Sequence, residues 1–350
     1  MSGVVGHMMY AILGARVAEH RRLPIVPVIK RHYASYLCGS YLGCDIQTLP
    51  AATCDQTGEP VGYGSQVPEQ SPLTGGPVTP WKLQFEGKEY SPREIHSMFY
   101  GRSHLTFGWN SQQREYALPW DQLPDYLAMV AGDALTLFGD GHRQLAYVLG
   151  WLTHIVGDSL IKSVQPGIDL DLLNGKYTPE NRPIQDLVTF HEVGVKELGI
   201  SWKDLMADMA ATPVYQVQLH YMRLTRPRGR LAKLVPDHWE PGQAALVRRV
   251  LMENRRYQRI RNGRIIEQLA LTPSSEGLQC SEELRQKTGG LGYREMVEMA
   301  DNARFRYALW QMGEAVGEIM EQVVRRQPLL DELPQDPGPS WSALSRRWRR

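Results

Sequence analysis

Between Gln144 and Ile161 the chain is apolar or small at almost every position, and the run is too long for a strand. Its only readily charged side chains, apart from the phenol of Tyr147, are His154 and Asp158. A helix that is apolar all round is a core helix. Residues four apart lie one above the other on one helical face. A carboxylate in a core is costly unless it is paired or binds a metal, so Asp158 needs a partner elsewhere in the chain.

The rest of the pattern is mainly helical in period. Helices are predicted over Val4–Glu19, Pro27–Leu42, Leu123–Leu137, Arg143–Val164, Ile184–Leu198 and Trp202–Met209. Two more are predicted over Gln243–Ala270 and Tyr293–Arg326. Residues 48–80 are rich in Gly, Pro, Thr and Gln and predict one long surface loop. Trp81–Tyr90 alternates around Glu86-Gly87, which predicts a small β-hairpin. Ser91-Pro-Arg-Glu94 has the form of a capping box with proline at the first helical position. The prediction is an all-α fold with one long loop and a small hairpin. Residues 1–200 are expected as one helical domain, 201–326 as an additional helical region packed on it, and 327–350, with four prolines, as a flexible basic tail.

Composition narrows this little. A length of 350 residues and 42% hydrophobic content suffice for a sizeable core. A net charge of +1 points to no particular partner, although seven arginines fall between Arg248 and Arg264. Val247, Val250, Leu251 and Ile260 lie among them as an apolar stripe, so the arginines read as a solvated face, with anionic-surface or nucleic-acid binding as the second reading. The four cysteines show neither metal-type C-x-x-C spacing nor a disulfide framework. The N-terminus lacks a basic region before its apolar run, and no run of about 18 apolar residues occurs. A cytoplasmic protein is the expectation, or a secreted one if the true start lies upstream.

Partners for Asp158 are sought among histidines and acids in apolar surroundings. His7 lies in Val4-Val-Gly-His-Met-Met-Tyr-Ala-Ile-Leu13. Asp45 ends Gly39-Ser-Tyr-Leu-Gly-Cys-Asp45, the sole acid between Glu19 and Asp55. His104 sits in an aromatic, glycine-rich turn from Phe99 to Trp109, and His191 in Leu187-Val-Thr-Phe-His191. With His154 and Asp158 these are ligand types that Zn²⁺ takes. Each has a plainer reading as a satisfied core residue, and an intrahelical hydrogen bond would serve the His154/Asp158 pair. Gly150 and Gly157 in the same helix mean either close helix packing or room for a metal cluster. His20, His32, His96, His142, His220 and His238 have polar neighbours and read as surface or structural.

The ordered set resembles the zinc-dependent phospholipase C family, which includes phosphatidylcholine-type phospholipases C and the glycosylphosphatidylinositol phospholipase D metal domain. The matching features are an early helical His (His7), a small-residue segment ending in Asp (Asp45), Ser103-His104, and His154-Ile-Val-Gly-Asp158. A later His, His191, also matches. The resemblance covers roughly residues 1–200 and implies a multi-helix phospholipase C/nuclease-like bundle. It implies two Zn²⁺ ions held by His7, Asp45, His104, His154 and Asp158, with Asp158 bridging and Asp45 orienting or deprotonating the attacking water. A third ion would have to be built around His191. There the family's acid four residues on is Val195, and the His expected shortly after Asp158 is absent from Ser159–Val164.

The implied activity is phosphodiester hydrolysis by metal-activated water, on a phospholipid or other phosphodiester, with peripheral contact to a membrane surface. A nuclease or other phosphoesterase on the same site is the alternative, and a non-catalytic metal-binding relative the third. The aromatic residues Phe99, Tyr100, Phe107 and Trp109 would wall a lipid or base pocket or serve as core. Lys162 would offset phosphate charge or lie at the surface.

Overall fold

The apolar periodicity of the chain appears directly in the computed structural model, which describes residues 4–42, 49–62, 67–71, 74–95, 120–161, 182–214, 244–275 and 277–346. These residues are mostly helical, with a few short antiparallel strands. In chain order the helices are α1 (Val4–His20), α2 (Val26–Arg31), α3 (Tyr33–Leu42), α4 (Leu123–Phe138), α5 (His142–Ile161), α6 (Arg182–Val188) and α7 (Trp202–Ala211). They continue with α8 (Ala244–Gln268), α9 (Glu282–Lys287), α10 (Tyr293–Asn302), α11 (Phe305–Arg326) and α12 (Trp341–Arg346). α6 runs on into a π-helix, Thr189–Glu197.

The chain divides into two compact units. Residues 1–41, 120–214 and 262–350 form one, and residues 42–119 and 215–261 the other. The segment 1–200, expected as one domain, contributes to both, and residues 262–326 belong with the N-terminal helices. The reason lies in α1. It is buried on all sides from Val4 to Ala15 and needs apolar partners all round. Its main partner is α11. Leu13 and Val17 of α1, one turn apart, fit against Gly313 and Gly317 of α11, also one turn apart. A Cβ on Gly313 would stand 2.6 Å from the Leu13 Cβ, and one on Gly317 would collide with the Val17 side chain. Reciprocally, Gly14 receives Val316. α4 and α5 complete this core, and α5 is buried continuously from Leu145 to Gly157, as an all-apolar helix must be.

Residues 327–346 are not a loose tail. Leu330, Leu333 and Leu344 are buried. The Trp341 indole meets Tyr33 edge to face at 5.7 Å, lies under the cations of Lys30 and Arg16, and donates to Glu19. The prolines stop a long helix here without preventing two short turns from burying three leucines. Two further predicted segments also differ. The long run 293–326 is two helices, because Arg304 adopts a left-handed backbone with φ 56°. Pro27–Leu42 likewise breaks at His32.

In the second unit, residues 48–80 contain β1 (Ala52–Cys54), β2 (Pro60–Val61) and β3 (Val78–Pro80), in the antiparallel order β2-β1-β3. Strands of two or three residues are too short to show period-two alternation in a Gly- and Pro-rich tract, so the sequence read as loop. The predicted hairpin forms as β4 (Leu83–Phe85) and β5 (Lys88–Tyr90). Its two turn residues have positive φ, 49° at Glu86 and 75° at Gly87, the backbone a two-residue hairpin turn demands. The capping box also forms: the Ser91 amide donates to Glu94 Oε2 (2.7 Å) and the Glu94 amide to Ser91 Oγ (3.3 Å). A further hairpin, β6 (Leu271–Ser274) with β7 (Gly277–Cys280), follows α8 in the first unit and was not foreseen.

Candidate metal centre

The middle of α5 lies hard against α3. A Cβ on Gly150 would collide with the Tyr36 carbonyl oxygen, and one on Gly39 with the Tyr147 carbonyl oxygen. A Cβ on Gly157 would stand 2.7 Å from the Tyr10 ring. Gly150 and Gly157 therefore serve close packing, which decides between the two readings the sequence allowed. The same crossing carries the backbone of Ser40 to His154, whose Nδ1 lies 2.7 Å from the Ser40 carbonyl oxygen. A carbonyl only accepts, so Nδ1 carries a proton and the ring is held by that nitrogen.

His7 of α1 lies on this ring. The two imidazole centroids are 3.8 Å apart with planes 12° from parallel, and both residues are almost wholly buried, at 2% and 1% exposed. Tyr10, one turn along α1, meets the His7 ring edge to face at 5.9 Å. So two of the histidines that the sequence singled out, 147 positions apart, share one buried spot. Asp158 follows His154 by one turn of α5, with its side chain outside the described residues. Asp45 and His104 also lie outside them, as do Phe99, Tyr100, Phe107, Trp109 and Lys162. Among the described residues, no three His, Cys, Asp or Glu side chains gather as a metal site.

His191 sits in different surroundings within the same unit. Its Nε2 donates to the Leu269 carbonyl (2.6 Å), and its ring packs on Phe190 and edge-on to Tyr293. Burial lowers its pKa, partly offset by that carbonyl. The π-helix sets this environment. Trp202 stacks on Phe190 at 5.3 Å and donates from Nε1 to the Phe190 carbonyl (3.0 Å), and Gly194 leaves room for the indole. Val195, where the resemblance would place an acid, is exposed.

The acid beside His191 has other partners. Glu192 is buried, accepts from Lys196 Nζ (2.6 Å), and is hydrogen bonded by the Tyr293 hydroxyl. Burial would raise its pKa, but those two donors outweigh it and hold the carboxyl low. Burial first, and then the bond to Glu192, push the Tyr293 phenol up to about 12. Nothing local in the chain marks this group, since Tyr293 lies 101 positions from Glu192. A second pair was equally hidden: Lys30, 7% exposed, reaches the half-buried Glu19 at Oε1, 2.8 Å away. Its one sequence signal is a lysine following the apolar run Ile25–Ile29.

No helix among the described residues is long and apolar enough to cross a membrane. No family model matches the chain, and neither a curated protein nor a solved structure matches it.

Proposed function

We propose that His7, His154 and Asp158 belong to a zinc site and that the chain is a metal-dependent phosphoric-ester hydrolase of the phospholipase C kind. The observation that carries this reading is the hydrogen bond from His154 Nδ1 to the Ser40 carbonyl. A metal-binding histidine commonly donates its other ring N–H to a carbonyl or carboxylate, which fixes both tautomer and ring orientation. His154 has that arrangement inside a core. His7, stacked on it, brings a second imidazole, and Asp158 a carboxylate on the same face of α5. Imidazole nitrogen and carboxylate oxygen fit Zn²⁺.

A zinc ion held there would supply Lewis acidity toward a phosphoryl oxygen and a bound water of lowered pKa. The chain's own part is to hold the two rings on packed helices, to keep His154 in one tautomer through Ser40, and to surround the donors with apolar side chains. In such low-dielectric surroundings electrostatic interactions are stronger than in water. The expected substrate is a phosphodiester, with phospholipid first and nucleic acid second, and with peripheral membrane contact in the phospholipid case.

The experiment is metal analysis of the purified chain, followed by assay with zinc on phosphatidylcholine vesicles, single-stranded DNA and bis-p-nitrophenyl phosphate. Stoichiometric zinc, lost in His154→Ala together with turnover, is the expected result. Bound zinc without turnover of any substrate leaves a non-catalytic metal protein. No bound zinc, with stability unchanged by chelator, removes the reading altogether.

A further inference from the structure

The arginine-rich segment of the sequence is α8, and the second unit holds it from Ala244 to Arg261. One face pins the helix there. Leu246, Val247, Val250 and Leu251 are buried, and the Tyr257 hydroxyl donates to the Gly62 carbonyl. The opposite face carries Met252, which is 54% exposed. Residues three and four apart are neighbours on a helix surface. The four such neighbours of Met252 are Arg248, Arg249, Arg255 and Arg256, so a single apolar side chain stands in a frame of arginines. Arg249 pairs with Glu253 at 2.8 Å, and Arg255 is also engaged. Arg248 and Arg256 are exposed, and neither has an ion-pair or hydrogen-bond partner for its side chain among the described residues.

We propose that this face of α8 docks on the surface of an anionic phospholipid bilayer. Charge complementarity supplies the first argument. Arg248 and Arg256 lie roughly 12 Å apart along the helix at a rise of about 1.5 Å per residue, which suits an extended anionic surface. Guanidinium groups also match the oxygens of lipid phosphates and carboxylates in a fork geometry. Met252 supplies the second argument, and it separates a bilayer from a nucleic acid. A phosphate backbone rewards the arginines alone. A bilayer rewards both groups, because hydrocarbon lies directly beneath the charged headgroups and receives an apolar side chain.

The strength of the association follows from the same groups. Each cation near an anionic leaflet strengthens binding about fivefold. Two unpaired arginines and one methionine therefore give a weak, reversible contact that salt screens. The buried face holds α8 in place, so the frame is presented ready-made and no segment has to fold on binding. The contact does not rest on the metal reading, since α8 carries none of the candidate zinc ligands.

The test is sedimentation of the full chain with vesicles, in the presence of a chelator so that no outcome depends on zinc or turnover. Vesicles of phosphatidylcholine alone are compared with vesicles of equal parts phosphatidylcholine and phosphatidylserine. Binding is expected to the mixed vesicles, far above phosphatidylcholine alone, and to fall steeply as salt is raised. The double variant Arg248→Gln/Arg256→Gln is expected to lose about tenfold or more. A charge-matched control, Lys88→Gln/Lys203→Gln, removes two exposed cations elsewhere and is expected to stay near the wild type. Met252→Ala is expected to weaken binding by about threefold or more. Duplex and single-stranded DNA are titrated at the same salt. Four results would each overturn the proposal. They are equal binding to the two vesicle types, an arginine variant no weaker than its control, Met252→Ala without effect, or tighter binding to either DNA than to mixed vesicles. The last would assign the face to nucleic acid.

Discussion

The α-carbon of Gly150 lies so close to the carbonyl oxygen of Tyr36 that no side chain fits between them. This approach, matched by Gly39 against the Tyr147 carbonyl, locks α3 to α5 and brings the Ser40 carbonyl to His154. Gly150→Ala is therefore expected to cost about 3 kcal/mol or more, since backbone cannot move aside as a flexible side chain can. Gly263→Ala, at an exposed position of α8 with nothing near its added Cβ, is expected to stabilise by about 0.5–1 kcal/mol. Urea denaturation of the two variants checks the contrast, and equal effects would contradict the packing described.

The stacked imidazoles give a second prediction. Because His154 is oriented by Ser40, His154→Ala is expected to lower zinc affinity at least about tenfold, with His7→Ala also weakening it. Competition with a chromogenic chelator measures both. Full metal occupancy in both variants would place the metal elsewhere.

The Glu19–Lys30 pair predicts a pH dependence. Burial raises the Glu19 pKa, but hydrogen bonds from Lys30 and Trp341 outweigh it, so the folded carboxyl titrates below its unfolded counterpart. A depressed acid stabilises the fold above its unfolded pKa, near 4.3, and loses that contribution as pH falls through the folded value. Glu19→Gln is expected to cost about 1–2 kcal/mol at pH 7, discounted because the carboxylate is 42% exposed, and progressively less below about pH 4. Denaturation at both pH values tests this, and a pH-independent penalty would count against the ion pair.

Tyr293 is expected to ionise late, because its phenol is pushed up to about 12 by burial and by Glu192. Ultraviolet titrations of the wild type and Tyr293→Phe should coincide up to about pH 11. A difference of one phenolate appearing near pH 10 would mean that the Tyr293–Glu192 contact is absent in solution.

The C-terminal segment makes a proteolytic prediction. Trp341→Ala removes the indole that touches Tyr33, Glu19, Lys30 and Arg16, at a cost of about 2 kcal/mol. Trypsin is expected to cleave after Arg325 or Arg326 much faster in that variant than in the wild type. Equal rates would show the segment to be unanchored.

What the sequence determined by itself is most of the long helices, the buried character of α5 from Leu145 to Gly157, and the Glu86-Gly87 hairpin. These follow from local period and turn chemistry, which each segment carries within itself. The sequence also singled out His7 and His154, because an ionisable side chain in an apolar run is conspicuous. It did not determine which Gly150 reading holds, that Ser40 orients His154, or that Glu192 bonds Tyr293. Nor did it show that the C-terminal leucines are buried. Those depend on which helix faces meet, and residues such as Leu13 and Gly313 have no local mark of being neighbours. Only tertiary packing brings together groups hundreds of positions apart, and that packing made a buried, stacked imidazole pair, one ring held by the Ser40 carbonyl, out of two histidines far apart in the chain.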